Sequence, residues 1–289
     1  MVDADPEELL AVAVDVARQA AALAVARRVD GIGEVGTKST ATDLVTAADR
    51  AVERLIVELL RERRPGDEVL GEEYGGDPPA RELAERPSAS ARELAERPLA
   101  DPDLVRWVVD PIDGTVNYVY GLPHYAVSVA AEVHGQAVAG VVVNAPSGEE
   151  WTAVRGGGAW RDGHRLVCSQ VADLGQALVA TGFGYDAARR AHQAGVLPHL
   201  LPRVRDIRRF GAASIDLCFA AEGRVDAYFE KGLNAWDHAA GGLVAVESGL
   251  LVSGLRGQSP GPAMVLAAPP TLHPALHALL VELDADGGP

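Results

Sequence analysis

Aromatic residues are scarce in this chain, at 5% of 289 positions, so Ala, Val and Leu must fill most of any core. Cysteine is nearly absent. Cys168 and Cys218 are the only two, no C-x-x-C pair exists, and a disulfide framework is not expected. Cys218 sits in the apolar run 215–221 and reads as a small core residue. Positive charge is short, with 26 Lys+Arg against 41 Asp+Glu and a net charge of −15. That balance opposes binding to nucleic acid or to an anionic membrane. Long uninterrupted apolar runs are lacking too. Residues 9–29 are broken by Asp15, Arg18 and Gln19, which argues against a membrane span. The first 30 residues lack the basic start and apolar stretch of a signal peptide. Cytoplasmic is the expected location.

What the chain does have is enough apolar residues, 48%, for one large core or two closely packed lobes. The patterns predict a helix over 7–28, with Pro6 at its start, and a loop over 30–38. A second, amphipathic helix over 46–63 is stopped by Pro65-Gly66. Strands are expected at 69–70, 105–109, 125–133, 137–144 and 150–155, the later ones joined closely enough for an antiparallel sheet. After about residue 170, short strands at 177–181, 206–208, 225–229, 250–252 and 264–268 alternate with helices at 187–201, 212–222, 236–247 and 272–283. An antiparallel α+β first half, 1–165, and an α/β second half, 166–289, imply a layered sandwich. Between them in character lies an oddity. Arg81-Glu82-Leu83-Ala84-Glu85-Arg86-Pro87 recurs unchanged as Arg92-Glu93-Leu94-Ala95-Glu96-Arg97-Pro98. Two copies are too few for a solenoid, so the segment reads as a duplicated, mobile surface insertion, dispensable for chemistry.

The chemical signal is Asp110-Pro111-Ile112-Asp113-Gly114-Thr115, directly after an apolar strand. Two carboxylates three residues apart on a tight turn can face one point, and carboxylate and carbonyl oxygens suit a hard cation such as Mg²⁺. Bound cations would also reconcile a −15 chain with an anionic phosphate. Taken alone, the hexapeptide is equally an ordinary Asp/Pro/Gly turn. Other acids gather around it in sequence: Glu72 and Glu73 after a strand, Asp49 at the end of residues 43–49, and Asp237 at the start of a helix, where an N-cap is the plain reading. Gly156-Gly157-Gly158 looks like a phosphate cradle but lacks the G-K-[ST] ending of a P-loop and reads as a hairpin turn. His124 reads as a packing or surface residue, and Arg208-Arg209 as a possible phosphate clamp or a structural pair.

Together, Gly71-Glu72-Glu73, the Asp110–Thr115 block with Asn117, and Trp236-Asp237-His238-Ala239-Ala240-Gly241 resemble the inositol monophosphatase family. The resemblance runs from about Lys38 to Ala268, with Gly182-Phe183-Gly184-Tyr185 and residues 206–211 similar to bacterial members. Its implied fold is the αβαβα sandwich of the inositol monophosphatase and fructose-bisphosphatase type. Its implied activity is Mg²⁺-dependent hydrolysis of a phosphomonoester, myo-inositol 1-phosphate, by metal-activated water, with two to three ions per site, Li⁺ sensitivity and a homodimer. Histidinol-phosphate and sugar bisphosphate hydrolysis on the same fold, and a non-catalytic regulatory role, are the alternatives. The resemblance assigns Glu72, Asp110, Asp113, Asp237 and the Ile112 carbonyl to the metals. It places Asp49 and Thr115, with Glu72, at the catalytic water and Lys38 on a mobile loop. Substrate contacts fall on Asp113, Gly114, Thr115, Gly211, Ala212, Ala213, Glu230 and Asp237. Glu72 and Asp110 lie 38 residues apart, further than is usual in the family because of the insertion.

Overall fold

A computed structural model describes residues 5–31, 35–40, 44–76 and 104–289. The duplicated segment 81–98 lies outside them. Helix α1 (Pro6–Val29) begins where Asp5 accepts the Glu7 amide and Pro6 occupies the first turn. By length and composition it could cross a bilayer, but Leu9, Ala13, Val16, Ala17, Ala20 and Ala24 are packed into the protein core. Helix α2 (Ala47–Arg63) opens with a capping box, Thr46 against Asp49.

These two helices cover one face of an eight-stranded sheet formed by β3 (Glu68–Gly71), β4 (Gly75–Gly76), β5 (Arg106–Asp113), β6 (Ala126–Val133), β7 (Gln136–Asn144), β8 (Glu150–Val154), β9 (Gly158–Arg161) and β10 (His164–Arg165). Its order is β10-β9-β8-β7-β6-β5-β3-β4, and β3 with β5 is its one parallel pair. Before α2 stands a separate hairpin, β1 (Val35–Thr37) with β2 (Leu44–Thr46). The expected loop over 30–38 is therefore partly strand, too short to show a pattern of its own.

The second sheet contains β11 (Leu178–Thr181), β12 (Asp206–Arg208), β13 (Ala227–Glu230), β14 (Leu251–Ser253) and β15 (Val265–Ala268), in the order β12-β11-β13-β15-β14. Beyond the short helix α3 (Thr115–Tyr120), four helices lie in this half: α4 (Ala187–Leu200), α5 (Ala213–Glu222), α6 (Ala235–Glu247) and α7 (His273–Glu282). Period-two alternation in the strands distributes side chains between layers. Trp107 and Val109 of β5 join the core beneath α1 and α2, whereas Val108 joins the core around α5 and α6. In the second sheet Tyr228 and Ala267 face α5 and α6, while Phe229, Leu266 and Ala268 face α4 and α7. The result is an α-β-α-β-α stack with one helix pair shared between two sheets.

Strand β5 departs from expectation in a way that matters. It continues past Val109 to Asp113, because its pairing with β6 survives an irregularity. Asp110 pairs with Ser128 and Asp113 with Ala126, so three steps on β5 match two on β6. That extra residue is a bulge, a place where Pro111, which has no N–H to offer, is tolerated. The two aspartates thus lie on a distorted strand end rather than on a free turn.

The shared helix layer is thin because its contacts are made by small residues. A Cβ placed on Gly140 of β7 would come within 3.1 Å of the Ala240 Cα of α6. Gly140→Val should therefore force α6 away from the sheet at a cost of about 2 kcal/mol. Thermal unfolding would show this as a lowered midpoint, and an unchanged midpoint would show that the layers are not locked there.

Candidate active site

The ends of β3, β5 and β13 and the starts of α5 and α6 meet around a cleft of about 1130 Å³, with the start of α2 behind Thr115. Asp110, Asp113 and Asp237 offer oxygens that all lie within 4.8 Å of one another. Glu72 is close enough that its charge raises the pKa of both Asp110 and Asp237. Lys38 reaches in from the β1 side, with Nζ 2.8 Å from Glu72 Oε1 and 2.5 Å from Glu73 Oε1.

Each carboxylate is held by backbone amides, those on Asp110 and Asp237 from nearby residues and those on Asp113 from α5, far along the chain. Asp113 lies at the start of α5, where its Oδ1 accepts the Ala213 amide at 3.2 Å and its Oδ2 accepts the Ser214 amide at 2.7 Å and the Ser214 hydroxyl at 2.5 Å. Asp110 Oδ1 accepts the Ile112 amide at 3.0 Å. Asp237 is not an N-cap. Asn234 takes that place, and Asp237, three residues in, accepts the Asn234 amide at 2.6 Å in a capping box. Asp49 occupies the same position in α2, with Oδ2 bound by the Thr46 amide at 2.8 Å and the Thr46 hydroxyl at 2.5 Å. Its Oδ1 lies 3.1 Å from Thr115 Oγ1, and the Ile112 carbonyl lies 3.2 Å from the same hydroxyl. Asp49 itself is fully buried and meets the cleft only through Thr115.

Gly114 takes φ +91°, and a Cβ there would press on the His124 carbonyl, Ala212 Cβ and the Gly211 carbonyl at 3.0–3.1 Å. That approach brings the segment 211–213 against the Asp110–Thr115 block. Gly211 and Ala213 line the cleft, whereas Ala212 is buried behind it. Glu230, at the end of β13, lies so close over Gly182 that a Cβ there would fall 1.9 Å from its Oε2. The Tyr228 hydroxyl donates to that same oxygen at 2.7 Å.

Electrostatics follow from the crowding. Burial pushes Asp110 and Asp237 well above the ordinary aspartate range, with Glu72 and Asp113 adding to it. Burial raises Asp113 to about 6 against the pull of its Ser214 hydrogen bonds. Burial likewise raises Glu73 to about 7, helped by Glu72 and opposed by Lys38, and Glu230 to about 7, opposed by the Tyr228 hydroxyl and Arg209. Burial opposes charge on Lys38, but Glu72 and Glu73 outweigh it and hold the ammonium protonated. The donor set around Asp110, Asp113 and Asp237 is all oxygen, strongly anionic and crowded, which fits hard divalent cations.

Other sequence features take plainer roles. The Gly156 and Gly158 amides donate to Glu247 at 2.9 and 3.0 Å, so the glycines form a carboxylate-held hairpin turn. His124 packs its ring on Phe210 and Phe219. Of the two arginines, Arg208 pairs with Asp206, while Arg209 lines the cleft beside Gly211. Ser214 escaped the sequence reading, since nothing near it in the chain marks a hydroxyl aimed at Asp113, whereas Tyr228 did carry a signal, lying two residues before Glu230 on one strand face. Thr46 carried a usable signal, the T-x-x-D spacing of a capping box.

The model of the inositol monophosphatase family matches residues 5–285. An inositol-1-monophosphatase of Mycobacterium leprae is 45% identical over 293 residues, covering 96% of this chain and 95% of the relative. A protein of Escherichia coli named Nus factor SuhB is 36% identical over 251 residues, covering 86% of each. The solved structure of Mycobacterium tuberculosis SuhB superposes with a TM-score of 0.77 at 38% identity, covering 99% of this chain and all of that one.

The raised carboxyl pKa values carry a linkage consequence. Between the unfolded values near about 4 and the folded values of about 6 for Asp113 and about 7 for Glu73 and Glu230, the folded chain binds more protons than the unfolded one. Stability is then highest on the acid side of that window and falls as pH rises through it. In excess chelator, the thermal midpoint should drop between pH 5 and 8, and Mg²⁺ should restore more of it at pH 8 than at pH 5. A midpoint that rises with pH in chelator would contradict this account of the cluster.

Proposed function

Because the chain belongs to the inositol monophosphatase family, we propose that it is a Mg²⁺-dependent phosphomonoesterase hydrolysing myo-inositol 1-phosphate to inositol and phosphate. The observation that carries this reading is the convergence of three carboxylates within 4.8 Å beside the Thr115–Asp49 pair. Glu72, Asp110, Asp113, Asp237 and the Ile112 carbonyl would hold two to three ions. When bound, these supply Lewis acidity to the phosphoryl group and to the attacking water.

The chain's own groups do the rest. The Thr115 hydroxyl has one proton to give; donated to Asp49, it leaves lone pairs free to orient a water towards phosphorus. Burial raises the Asp49 pKa, which suits it to draw that proton. Glu72, at the same edge, would help orient the water. The water oxygen forms the new bond to phosphorus, the ester P–O bond breaks in line, and the inositol oxygen leaves with a proton. The Gly114 and Thr115 amides would receive phosphate oxygens, and Lys38 would close over them. Glu230, bound by the Tyr228 hydroxyl, would accept hydroxyls of the ring, with the small Gly211, Ala212 and Ala213 and with Asp113 and Asp237 as further substrate contacts. Li⁺ inhibition, a homodimer and a cytoplasmic location belong to the same reading. A non-catalytic role is disfavoured because no carboxylate of the cluster is missing.

Phosphate release should be measured with myo-inositol 1-phosphate, histidinol phosphate, fructose 1,6-bisphosphate and p-nitrophenyl phosphate, with Mg²⁺ and in chelator. Activity should require Mg²⁺, and Asp110→Asn should lower kcat at least about a hundredfold. Glu230→Gln should raise KM for the inositol ester while changing p-nitrophenyl phosphate turnover less than about threefold. Higher kcat/KM for histidinol phosphate would overturn the inositol assignment, and full activity in chelator would overturn the metal mechanism.

A further inference from the structure

Helix α2 carries two acids one turn apart, Asp49 and Glu53, and both are 0% exposed. Asp49 is accounted for by its capping box and Thr115. Glu53 has no part in the chemistry above, yet burying a carboxylate is costly unless its oxygens are satisfied. Its oxygens are satisfied by one short stretch of backbone. Oε2 accepts the Glu73 amide at 2.7 Å and Oε1 the Tyr74 amide at 3.0 Å. The carboxylate also lies flat against Gly71, where an added Cβ would fall 2.2 Å from Oε1 and 2.5 Å from Cδ.

The stretch it holds is the turn that presents Glu72 and Glu73. Strand β3 meets β4 only through the pairs Leu70–Gly76 and Gly71–Gly75, so residues 72–74 have no ladder partner of their own. Two amides of that turn are fixed instead by a side chain from another element. A turn so fixed aims Glu72 and Glu73 together at Lys38 and sets Glu72 beside Asp110 and Asp237. Gly71 is required for the same reason, since any side chain there would displace the carboxylate.

We propose that Glu53 is a positioning residue: by binding the Glu73 and Tyr74 amides across a bare Gly71, it fixes the turn that brings Glu72 to the cation site, and so sets that site's affinity. This rests on the reading that the acidic cluster holds divalent cations. Glu53 never touches the ion or the substrate. It acts through backbone geometry, as outer residues around metal sites orient the ligands themselves.

The test is Mn²⁺ binding to the purified full chain, followed by the electron paramagnetic resonance signal of free Mn²⁺, which needs no turnover. Glu53→Gln keeps the length but turns an NH₂ towards one of the two amides, so one bond is lost. The Mn²⁺ Kd should rise about tenfold. Gly71→Ala should move the Kd in the same direction. If Glu53 serves only to stabilise the fold, Glu53→Gln will melt earlier and bind Mn²⁺ as wild type does, which overturns the proposal. Should neither variant fold, wild type decides. In chelator the Glu73 and Tyr74 amides should exchange hydrogen at least about a thousandfold more slowly than free peptide, and rapid exchange would overturn the proposal. Asp110→Asn serves as the control for the site. A wild-type chain that binds no Mn²⁺ would sink the phosphatase reading and this proposal together. Unchanged affinity in Glu53→Gln, with affinity lost in Asp110→Asn, would sink the proposal alone.

Discussion

Repulsion among crowded carboxylates, two buried and one half-buried, is the constraint around which this structure is arranged. Asp110, Asp113 and Asp237 sit within 4.8 Å of one another, each with its pKa raised by burial. Like charges out of water are tolerated only where donors or cations answer them. Backbone amides supply the first answer. Asp113 meets the opening amides of α5, Asp237 those of α6 and Asp49 those of α2, each at the end of a helix whose dipole favours negative charge. Ammonium supplies the second. Of the chain's two lysines, Lys38 pairs with Glu72 and Glu73, while Lys231 lines the cleft but donates to the Gly287 and Gly288 carbonyls. The surplus of negative charge that remains in the cluster is what suits it to divalent cations.

Bringing three helix starts to one point demands close layers, and small residues make that possible. Gly140 lets α6 approach β7, Gly241 lets α6 approach Ser214 and Leu217 of α5, and Gly114 lets the 211–213 segment press on the end of β5. The scarcity of aromatic residues is the compositional face of the same arrangement. Bulk is confined to a few positions such as Trp107 and Trp151, and the helix layer between the sheets is built largely of alanine, glycine, leucine and valine. Packing and chemistry are therefore not separable here. A larger residue at Gly114 or Gly241 would open the contact that holds Asp113 in place.

Much of this was legible in the chain. The helices over 6–29 and 47–63 announced themselves by apolar spacing and by Pro6 and Pro65-Gly66, and the strands of the large sheet by apolar runs separated by His134-Gly135 and 146–148. The layered α+β architecture followed from their order. Elements with too few residues to show a period were missed: the β1–β2 hairpin, β9 with β10, and the six residues of α3. The continuation of β5 to Asp113 was hidden because Pro111 reads locally as a turn former, whereas pairing with β6 holds the strand together through a bulge.

For the site, sequence by itself determined which oxygens were available, since D-P-I-D-G-T, G-E-E and W-D-x-A-A-G name the residue types and the local backbone that carries them. Tertiary structure alone decided how they are held. Ser214 on Asp113, Thr115 on Asp49 and Glu53 beneath the Gly71 turn join elements far apart in the chain, and no spacing rule connects them. Propensity, capping and alternation act over a few residues and can be read along the chain. The direction in which a buried side chain points depends on which distant backbone it packs against, and that is settled only when the layers close.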